Sequence, residues 1–264
     1  MEGMSLGSKN QLPMVSIITV VFNGDKHLQQ TIDSVINQTY KNIEYIIIDG
    51  GSTDQTLEIL KANTKNISKW ISEPDEGLYD AMNKGIELTQ GEIIGMVNSD
   101  DWYELDAVEI MVGAFLNNPT KNIFHADRYD IMSDGQKRLY KHHPSAMKFK
   151  FWGMTYNHPT MFISRKEYTK HQYNIQLGVL SDYQFILEAY LREPDVLFYV
   201  QKAIVNYRLD GLSTRMSMKS MLLEGFIARQ NAGLSLLENI VAFKVRLSFR
   251  LISSIINMLK IKNK

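Results

Sequence analysis

Two adjacent carboxylates, Asp100 and Asp101, follow a short apolar run and are the side chains best suited to hold a cation. Adjacent carboxylates repel each other, so a fold that keeps both usually supplies a positive charge. The chain has no cysteine, so a metal here needs oxygen or imidazole ligands. Oxygen ligands suit Mg²⁺ or Mn²⁺, which often share their site with substrate phosphates. The alternative is a solvated turn followed by a helix cap.

A second polar cluster, residues 49–54 (DGGSTD), follows another apolar run. Its glycines permit a tight turn and a close approach of the backbone to a ligand. Asp49, at the end of the run, is suited to accept hydrogen bonds from a base or a ribose. The alternative is ordinary turn chemistry, with Asp54 capping the next helix.

A third set of polar residues lies at helical spacing. Asp80, Asn83 and Lys84 are three and four residues apart, so one helical face can present them together. A solvated polar face is the alternative explanation for this pattern.

Asp182 lies near the start of a predicted helix over 181–191. Ser181 and Gln184 have the spacing of a capping box, which predicts Ser181 as the cap and Asp182 as the first helical residue. The positive end of the helix favours an ionised Asp182, the form that a general base needs. Alternatively, Asp182 only stabilises the helix dipole.

The elements between these clusters alternate between strands and helices. This alternation predicts an α/β fold with a mostly parallel sheet covered on both faces, which binds ligands at the carboxyl ends of its strands. Strands are predicted over 15–22, 43–48, 70–72 and 92–97, and helices over 26–37, 54–62 and 78–88. Later, a helix is predicted over 106–116, a hairpin over 122–131 and 136–140, an irregular segment over 141–160, a strand within 197–207 and helix from 216.

The charge is unevenly distributed along the 264 residues. The chain has 29 basic and 29 acidic side chains, but 239–264 has six basic residues and no acid. Residues 1–238 therefore carry a net charge of −6. As a helix, 239–264 would be basic and amphipathic, which predicts peripheral contact with an anionic membrane. Packing on its own domain or in a homodimer is the alternative.

Composition also limits the location and the partners. The start is polar and lacks the apolar core of a secretory signal, and no run of about 18 apolar residues appears. We therefore expect a cytoplasmic protein. The zero overall charge argues against nucleic acid as a partner.

The order and spacing of these segments resemble the inverting family 2 glycosyltransferases with the GT-A fold. The resemblance rests on VSIITVVFNG, TIDSVINQTYKNIEYIIIDGGSTDQT and EPDEGLYDAMNKGIELTQGEIIGMVNSDDW, then on NHPTMFISRKEY, GVLSDYQFIL and YRLDGLST. It implies a Rossmann-like, mostly parallel sheet flanked by helices, with a C-terminal helical extension. The implied divisions are a polar tail (1–13), a GT-A domain (14–215) with a nucleotide-sugar half (14–110) and an acceptor half (111–215), and the extension (216–264).

The resemblance also implies roles for single residues. Asp182 is the implied catalytic base, and Asp101 is implied as the direct ligand of Mn²⁺ or Mg²⁺, with Asp100 beside it. Asn98 stands where many members have an acid, which leaves two carboxylates in the metal motif. The implied contacts with the donor nucleotide are Asp49, Asp80, Asn83 and Asp100. Candidates for the acceptor site are His158, Trp152 and Tyr156, for which packing within the protein is the alternative.

The implied activity is metal-dependent, inverting transfer of a sugar from a nucleotide sugar, with UDP as the nucleotide. The implied acceptor is a hydroxyl of a glycan or polyprenyl-linked molecule in the synthesis of a surface polysaccharide such as O-antigen or capsule. The enzyme would then work on the cytoplasmic face of the inner membrane. The alternatives are a sugar-phosphate nucleotidyltransferase, against which Asn23-Gly24-Asp25 after the first strand argues, and an inactive partner-binding subunit.

Overall fold

The first strand, β1 (Val15–Val21), is buried along its whole length, as its run of mostly β-branched residues predicts. Its parallel neighbours are β2 (Ile43–Asp49) and β4 (Ile93–Met96), and β3 (Lys69–Ser72) pairs in parallel with β2. The structure is a computed structural model and describes residues 12–143, 145–209 and 217–248. The pairing of β1 with β2 and β4, and of β2 with β3, confirms the parallel strands predicted for the first half of the chain.

Three helices connect these parallel strands: α1 (Leu28–Ile36), α2 (Thr56–Asn63) and α3 (Leu78–Glu87). The chain continues with β5 (Trp102–Tyr103), α4 (Ala107–Asn117), β6 (Ile123–Ile131), β7 (Lys137–Tyr140), α5 (Ala146–Phe151), β8 (Phe162–Ser164), α6 (Arg165–Tyr168), α7 (Ser181–Arg192) and β9 (Leu197–Arg208). The strand order is β3-β2-β1-β4-β8-β6-β9-β5, with β7 paired to β6. The later strands add antiparallel pairs to the parallel half, so one mixed sheet runs through both predicted halves of the domain.

The two faces of the sheet carry separate hydrophobic cores. Neighbouring residues of β1 alternate between them: Ile18 packs with α3 and α7, whereas Ile17 packs with α1 and α4. This alternation is the two-residue period of a strand covered on both faces. The helices α3 and α7 contribute to the same core, and the hydrogen bond from the Tyr79 hydroxyl to Asp182 joins their first turns.

Two local predictions are wrong. Residues 141–160, predicted to be irregular, contain α5 and a 3₁₀ turn at His158–Thr160. The capping box at Ser181 does not form, because α7 begins at Ser181 itself and its cap is Leu180. The Ser181 hydroxyl instead accepts a hydrogen bond from Asn174 N at 2.5 Å, so tertiary structure uses the hydroxyl that local spacing had assigned to the cap.

Two helices follow the sheet: α8 (Met218–Asn231) and α9, which covers 236–248. Arg229 Nε donates to Asn239 Oδ1 at 2.9 Å and joins α8 to α9. Asn231 Nδ2 donates to Gln184 Oε1 on α7 at 3.3 Å. Of the predicted basic tail, 249–264 lie outside the described residues. Within the described part of the chain, no helix is long and apolar enough to cross a bilayer.

The fit of α3 on the sheet gives a stability prediction at Gly85. A Cβ there would lie 2.7 Å from Ile18 Cγ2, which is in the core. Overpacking costs about 1–3 kcal/mol, and Ala regains about 1 kcal/mol of helix propensity. We expect Gly85→Ala to lower the free energy of unfolding by up to about 2 kcal/mol in urea titration, the cost that is left after that gain. Gly113→Ala in α4 is the matched control, since no atom lies within 4 Å of its Cβ position. Equal effects at both positions would contradict the close packing of α3.

Candidate active site

A cavity of about 680 Å³ opens at the carboxyl ends of β1 and β4, between the first turns of α3 and α7. Its walls come from segments far apart in sequence, as expected where parallel strands end at one edge. The wall includes Lys26, Asp75, Tyr79, Asp100, His158, Val179, Asp182 and Arg208.

The loop after β1 is fixed to the loop after β2. Asn23 N donates to Ser52 Oγ at 2.7 Å, and Gly24 N donates to Thr56 Oγ1 at 2.9 Å. Asn23 has a φ of +50°, in the left-handed region that Asn tolerates better than most residues. The loop after β1, which lines the cavity, is therefore held in place by hydrogen bonds to residues that follow β2.

Asp182 lies in the first turn of α7 and reaches the cavity wall. Its Oδ1 accepts hydrogen bonds from the Tyr79 hydroxyl at 3.2 Å and from Tyr183 N at 2.7 Å. Burial, and then the charge of Asp182, raise the pKa of Tyr79 well above its ordinary value. Tyr79 thus stays protonated and holds the carboxylate in place as a donor.

His158 lies on the other side of the same carboxylate. Its Nδ1 is 3.8 Å from Asp182 Oδ2, and its Nε2 is 3.2 Å from the Tyr173 hydroxyl. Burial lowers the pKa of His158, although the charge of Asp182 opposes this shift. The imidazole is therefore neutral at neutral pH, so it lies beside Asp182 without neutralising it. Asp182 and His158 were both predicted for the site, and the structure brings them together.

Asp100 and Asp101 occupy different environments despite being adjacent. Asp100 lines the cavity, whereas Asp101 is 1% exposed. Asp101 Oδ1 accepts from Arg208 N at 2.9 Å, and its Oδ2 accepts from Asn98 Nδ2 at 3.0 Å. Burial, and then the charge of Asp100, raise the pKa of Asp101 to about 7. The geometry thus favours Asp100 as the residue that meets a ligand, and gives no support to Asp101 as the direct metal ligand.

Arg208, which sequence reasoning did not single out, lies beside Asp100. Its guanidinium stacks over Trp102, 4.5 Å from the ring centroid, and donates to the carbonyl oxygen of Asp100. Lys26 also lies on the cavity wall. A guanidinium and an ammonium group beside a carboxylate suit a phosphate-bearing ligand. The only signal in the sequence was the position of Arg208 within the YRLDGLST segment.

Asp49 is the last residue of β2 and is fully buried. Its carboxylate accepts hydrogen bonds from Ser52 Oγ at 2.5 Å and Ser72 Oγ at 2.6 Å. Asp75 lies on the cavity wall next to this turn, and a Cβ at Gly50 would lie 2.4 Å from Asp75 Oδ2. Asp49 therefore holds the turn together, and its contact with a nucleoside base stays a prediction.

Asp80 and Asn83 do not line the cavity but a separate depression of about 580 Å³. Asp80 pairs with Lys84 at 3.2 Å and accepts from Glu76 N, the hydrogen bond that does most to lower its pKa. Asn83 uses both amide atoms on the backbone of Tyr173. These contacts are internal, so the geometry gives no support to the donor-binding roles predicted for Asp80 and Asn83.

Trp152 and Tyr156 are also outside the cavity wall. Tyr156 stacks on His142 with ring centroids 4.9 Å apart and meets Phe149 edge-on at 4.6 Å. Burial raises the pKa of Tyr156 to about 12. Trp152 follows α5 and is 39% exposed. Tyr156 has the packing role that was the alternative prediction, and neither residue lies where the cavity would bring a sugar.

The same aromatic cluster gives a pH prediction at His125. It is 2% exposed, its Nδ1 has no hydrogen-bond partner, and burial followed by the charge of His142 lowers its pKa to about 3. A lowered pKa means that the unfolded chain binds the proton, so stability is lost as pH falls below 6.5 towards 3. At pH 5 the loss is about 2 kcal/mol. His125→Phe should remove this loss in denaturant titrations at pH 7.5 and 5.

The matched control for this prediction is His143→Phe, because His143 is close in sequence but exposed. We expect it to keep the acid sensitivity of the wild type. An unchanged acid sensitivity in His125→Phe would show that other groups control it.

A divalent cation fits the cavity only together with a ligand that brings its own oxygens. Among the described residues, no group of three or more His, Asp or Glu side chains is arranged to hold a metal. At the β4 end of the cavity, the wall offers Asp100, a hard oxygen ligand of the kind that Mg²⁺ and Mn²⁺ prefer. Phosphate oxygens would complete such a site.

Sequence comparison finds relatives of this chain among known proteins. Residues 16–172 match the family model described as Glycosyl transferase family 2. The chain is 29% identical over 210 residues to a hyaluronan synthase of Pasteurella multocida, covering 78% of this chain and 21% of that protein. It is 34% identical over 189 residues to an uncharacterized glycosyltransferase of Mycobacterium tuberculosis, covering 68% of this chain and 70% of that one. The chain spans about a fifth to a third of the length of the hyaluronan and chondroitin synthases it matches.

Among solved structures, the chain is similar to S. aureus TarS 1-349 in complex with UDP-GlcNAc. The TM-score is 0.67 at 16% identity, over 89% of this chain and 71% of that one. This likeness confirms the predicted GT-A fold. Together with the family match over more than half of the sequence, it shows that the chain belongs to glycosyl transferase family 2.

Proposed function

We propose that this domain transfers a sugar from a nucleotide sugar to an acceptor hydroxyl with inversion at the anomeric carbon. The observation that carries the proposal is Asp182, a carboxylate held by Tyr79 at the wall of the cavity that also contains Asp100 and Arg208. Such a cavity offers a proton acceptor and a charged region suited to a phosphate leaving group.

The acceptor hydroxyl would lose its proton to Asp182 as its oxygen attacks C1 of the sugar. The new C1–O bond forms as the bond from C1 to the diphosphate breaks, and the electron pair leaves with the diphosphate. Attack from the face opposite the leaving group inverts the configuration. Tyr79 orients the Asp182 carboxylate through its hydrogen bond, so the carboxylate is already in position when the hydroxyl arrives.

The leaving group would be stabilised at the other end of the cavity. Arg208 and Lys26 supply positive charge to the diphosphate oxygens. Asp100 would hold Mg²⁺ or Mn²⁺ together with those oxygens, and the ion would supply further charge neutralisation. UDP is the nucleotide that we propose, because the TarS neighbour is in complex with UDP-GlcNAc.

The proposed acceptor is a growing glycan or a lipid-linked saccharide in surface-polysaccharide synthesis. Relatives named hyaluronan synthase and chondroitin synthase support a polysaccharide product. We place the domain in the cytoplasm, where nucleotide sugars are made.

A thermal-shift panel of nucleotide sugars, with and without Mn²⁺, tests the donor. We expect one UDP-sugar to raise the melting temperature and Mn²⁺ to increase that shift, because ligands that bind only the folded state stabilise it. Release of UDP and glycosylation of an acceptor would then identify a transferase. A nucleotidyltransferase would instead release pyrophosphate from a sugar phosphate and a nucleoside triphosphate. Donor binding without any turnover would indicate an inactive subunit.

A further inference from the structure

The described part of α9 has an inverted distribution of polar and apolar side chains. Asn239 and Ala242 are 0% exposed, and Arg246 is 9% exposed, on the face turned towards the protein. On the opposite face, Leu237 is 73% exposed and Val241 is 48% exposed. A surface helix normally buries its apolar side, so this helix presents to its surroundings the face that it would be expected to cover.

The exposed apolar surface continues on α8. Leu223 and Ile227 are one turn apart and are 50% and 45% exposed, whereas Arg229 on the same helix is fully buried. We call the combined surface the apolar face; it consists of Leu223, Ile227, Leu236, Leu237, Ile240 and Val241. Single exposed apolar residues are normal, but a set concentrated on two packed helices marks an interaction surface.

The charges on these helices identify the kind of partner. The two acids of α8 and the described part of α9 are both used internally: Glu224 accepts from Val179 N at 3.0 Å, and Glu238 pairs with Lys150 at 2.7 Å. The exposed charged residues include Lys219 and Lys244. Residues 249–264, which follow directly, add four basic side chains and no acid to the sequence.

We propose that the apolar face docks on an anionic lipid surface. Apolar side chains with lysines among them match a membrane interface, where the aliphatic groups enter the acyl boundary and the ammonium groups meet lipid phosphates. A second copy of this chain is a poorer partner, because its apolar face carries the same two lysines and offers them charge of the same sign.

The position of the apolar face suits its proposed partner. Val179, which Glu224 of α8 binds, lies on the cavity wall three residues before Asp182. A membrane on the apolar face would therefore lie near the acceptor end of the cavity. This last step rests on the proposed function, since it assumes that the cavity accepts a lipid-linked substrate; the docking itself does not.

Vesicle flotation of the full chain tests the proposal. We expect the wild type to float with phosphatidylglycerol–phosphatidylethanolamine vesicles, less so with phosphatidylcholine alone and less in about 0.5 M NaCl. Leu237→Glu/Val241→Glu should lower the vesicle partition coefficient at least about tenfold, since the two lost apolar burials together are worth more than about 1.4 kcal/mol. The matched control is Leu105→Glu/Leu116→Glu, which changes two exposed leucines elsewhere.

Light scattering and donor thermal shifts on the same samples separate the outcomes. A wild type that does not float, or a double variant that floats equally well, overturns the proposal. A wild-type dimer that becomes a monomer in Leu237→Glu/Val241→Glu, with no flotation of either, would make the apolar face a dimer interface. Lys244→Glu keeps every apolar side chain and should also weaken flotation. It provides the test if Leu237→Glu/Val241→Glu does not fold. Flotation without any nucleotide-sugar shift would contradict the proposed function alone.

Discussion

Replacing Asp182 with Asn is expected to lower sugar transfer by about 10²- to 10⁴-fold, the range that a general base contributes. Asn has the same shape and can still accept the hydrogen bonds from Tyr79 and Tyr183 N through its Oδ1. What it loses is the ability to take a proton from the acceptor. Donor affinity should therefore stay within a factor of about two of the wild type, because the donor does not need that proton transfer.

Single-turnover rates and nucleotide-sugar titrations of the same protein measure these two quantities. Asp80→Asn is the matched control, since Asp80 is an acid in the first turn of a neighbouring helix but lies outside the cavity. We expect it to transfer sugar at close to the wild-type rate. A wild-type rate in Asp182→Asn would mean that the base lies elsewhere, and a loss of donor binding in Asp80→Asn would restore its sequence-predicted role.

The sheet was predictable because its first strands are buried on both faces. Runs such as 15–22 and 43–48 are short and rich in β-branched residues, which is typical of parallel strands covered on both faces. β5 and β8 were not predicted, because strands of two and three residues have no periodicity to detect. Their place in the sheet depends on pairing with β9 and β4, which only the folded chain provides.

The sequence predicted which segments form the site better than it predicted which of their side chains line the cavity. On α3, helical spacing indicated the polar residues Asp80, Asn83 and Lys84, but these residues line another depression, and Tyr79 lines the cavity. Adjacent positions on a helix point about 100° apart, so only packing decides which of them faces a ligand. The contact of Arg208 with the site was not predictable from local spacing, because Arg208 lies in β9, more than a hundred residues after the Asp100 carbonyl that it contacts.

For Asp100 and Asp101, too, the sequence does not decide which of the two side chains faces a ligand. The family resemblance implies Asp101 as the direct metal ligand, whereas the structure turns Asp100 into the cavity and occupies both oxygens of Asp101 with Arg208 N and Asn98. We therefore expect Asp100→Ala to raise by at least about 100-fold the Mn²⁺ concentration needed for half of the UDP-dependent thermal shift. Loss of an outer-shell partner costs about 10- to 100-fold, and loss of a direct ligand should cost no less.

Asp101→Asn distinguishes the two assignments. Asn keeps an oxygen for Arg208 N, and the amide of Asn98 can turn to present its own oxygen to the new amide group. The fold around the cavity should survive, and the Mn²⁺ requirement should rise less than in Asp100→Ala. The reverse order, with Asp101→Asn the more damaging in a variant whose melting temperature without ligand is unchanged, would mean that Asp101 turns towards the cavity when UDP binds. The metal assignment would then follow the family resemblance, and the buried contacts of Asp101 would belong to the ligand-free state alone.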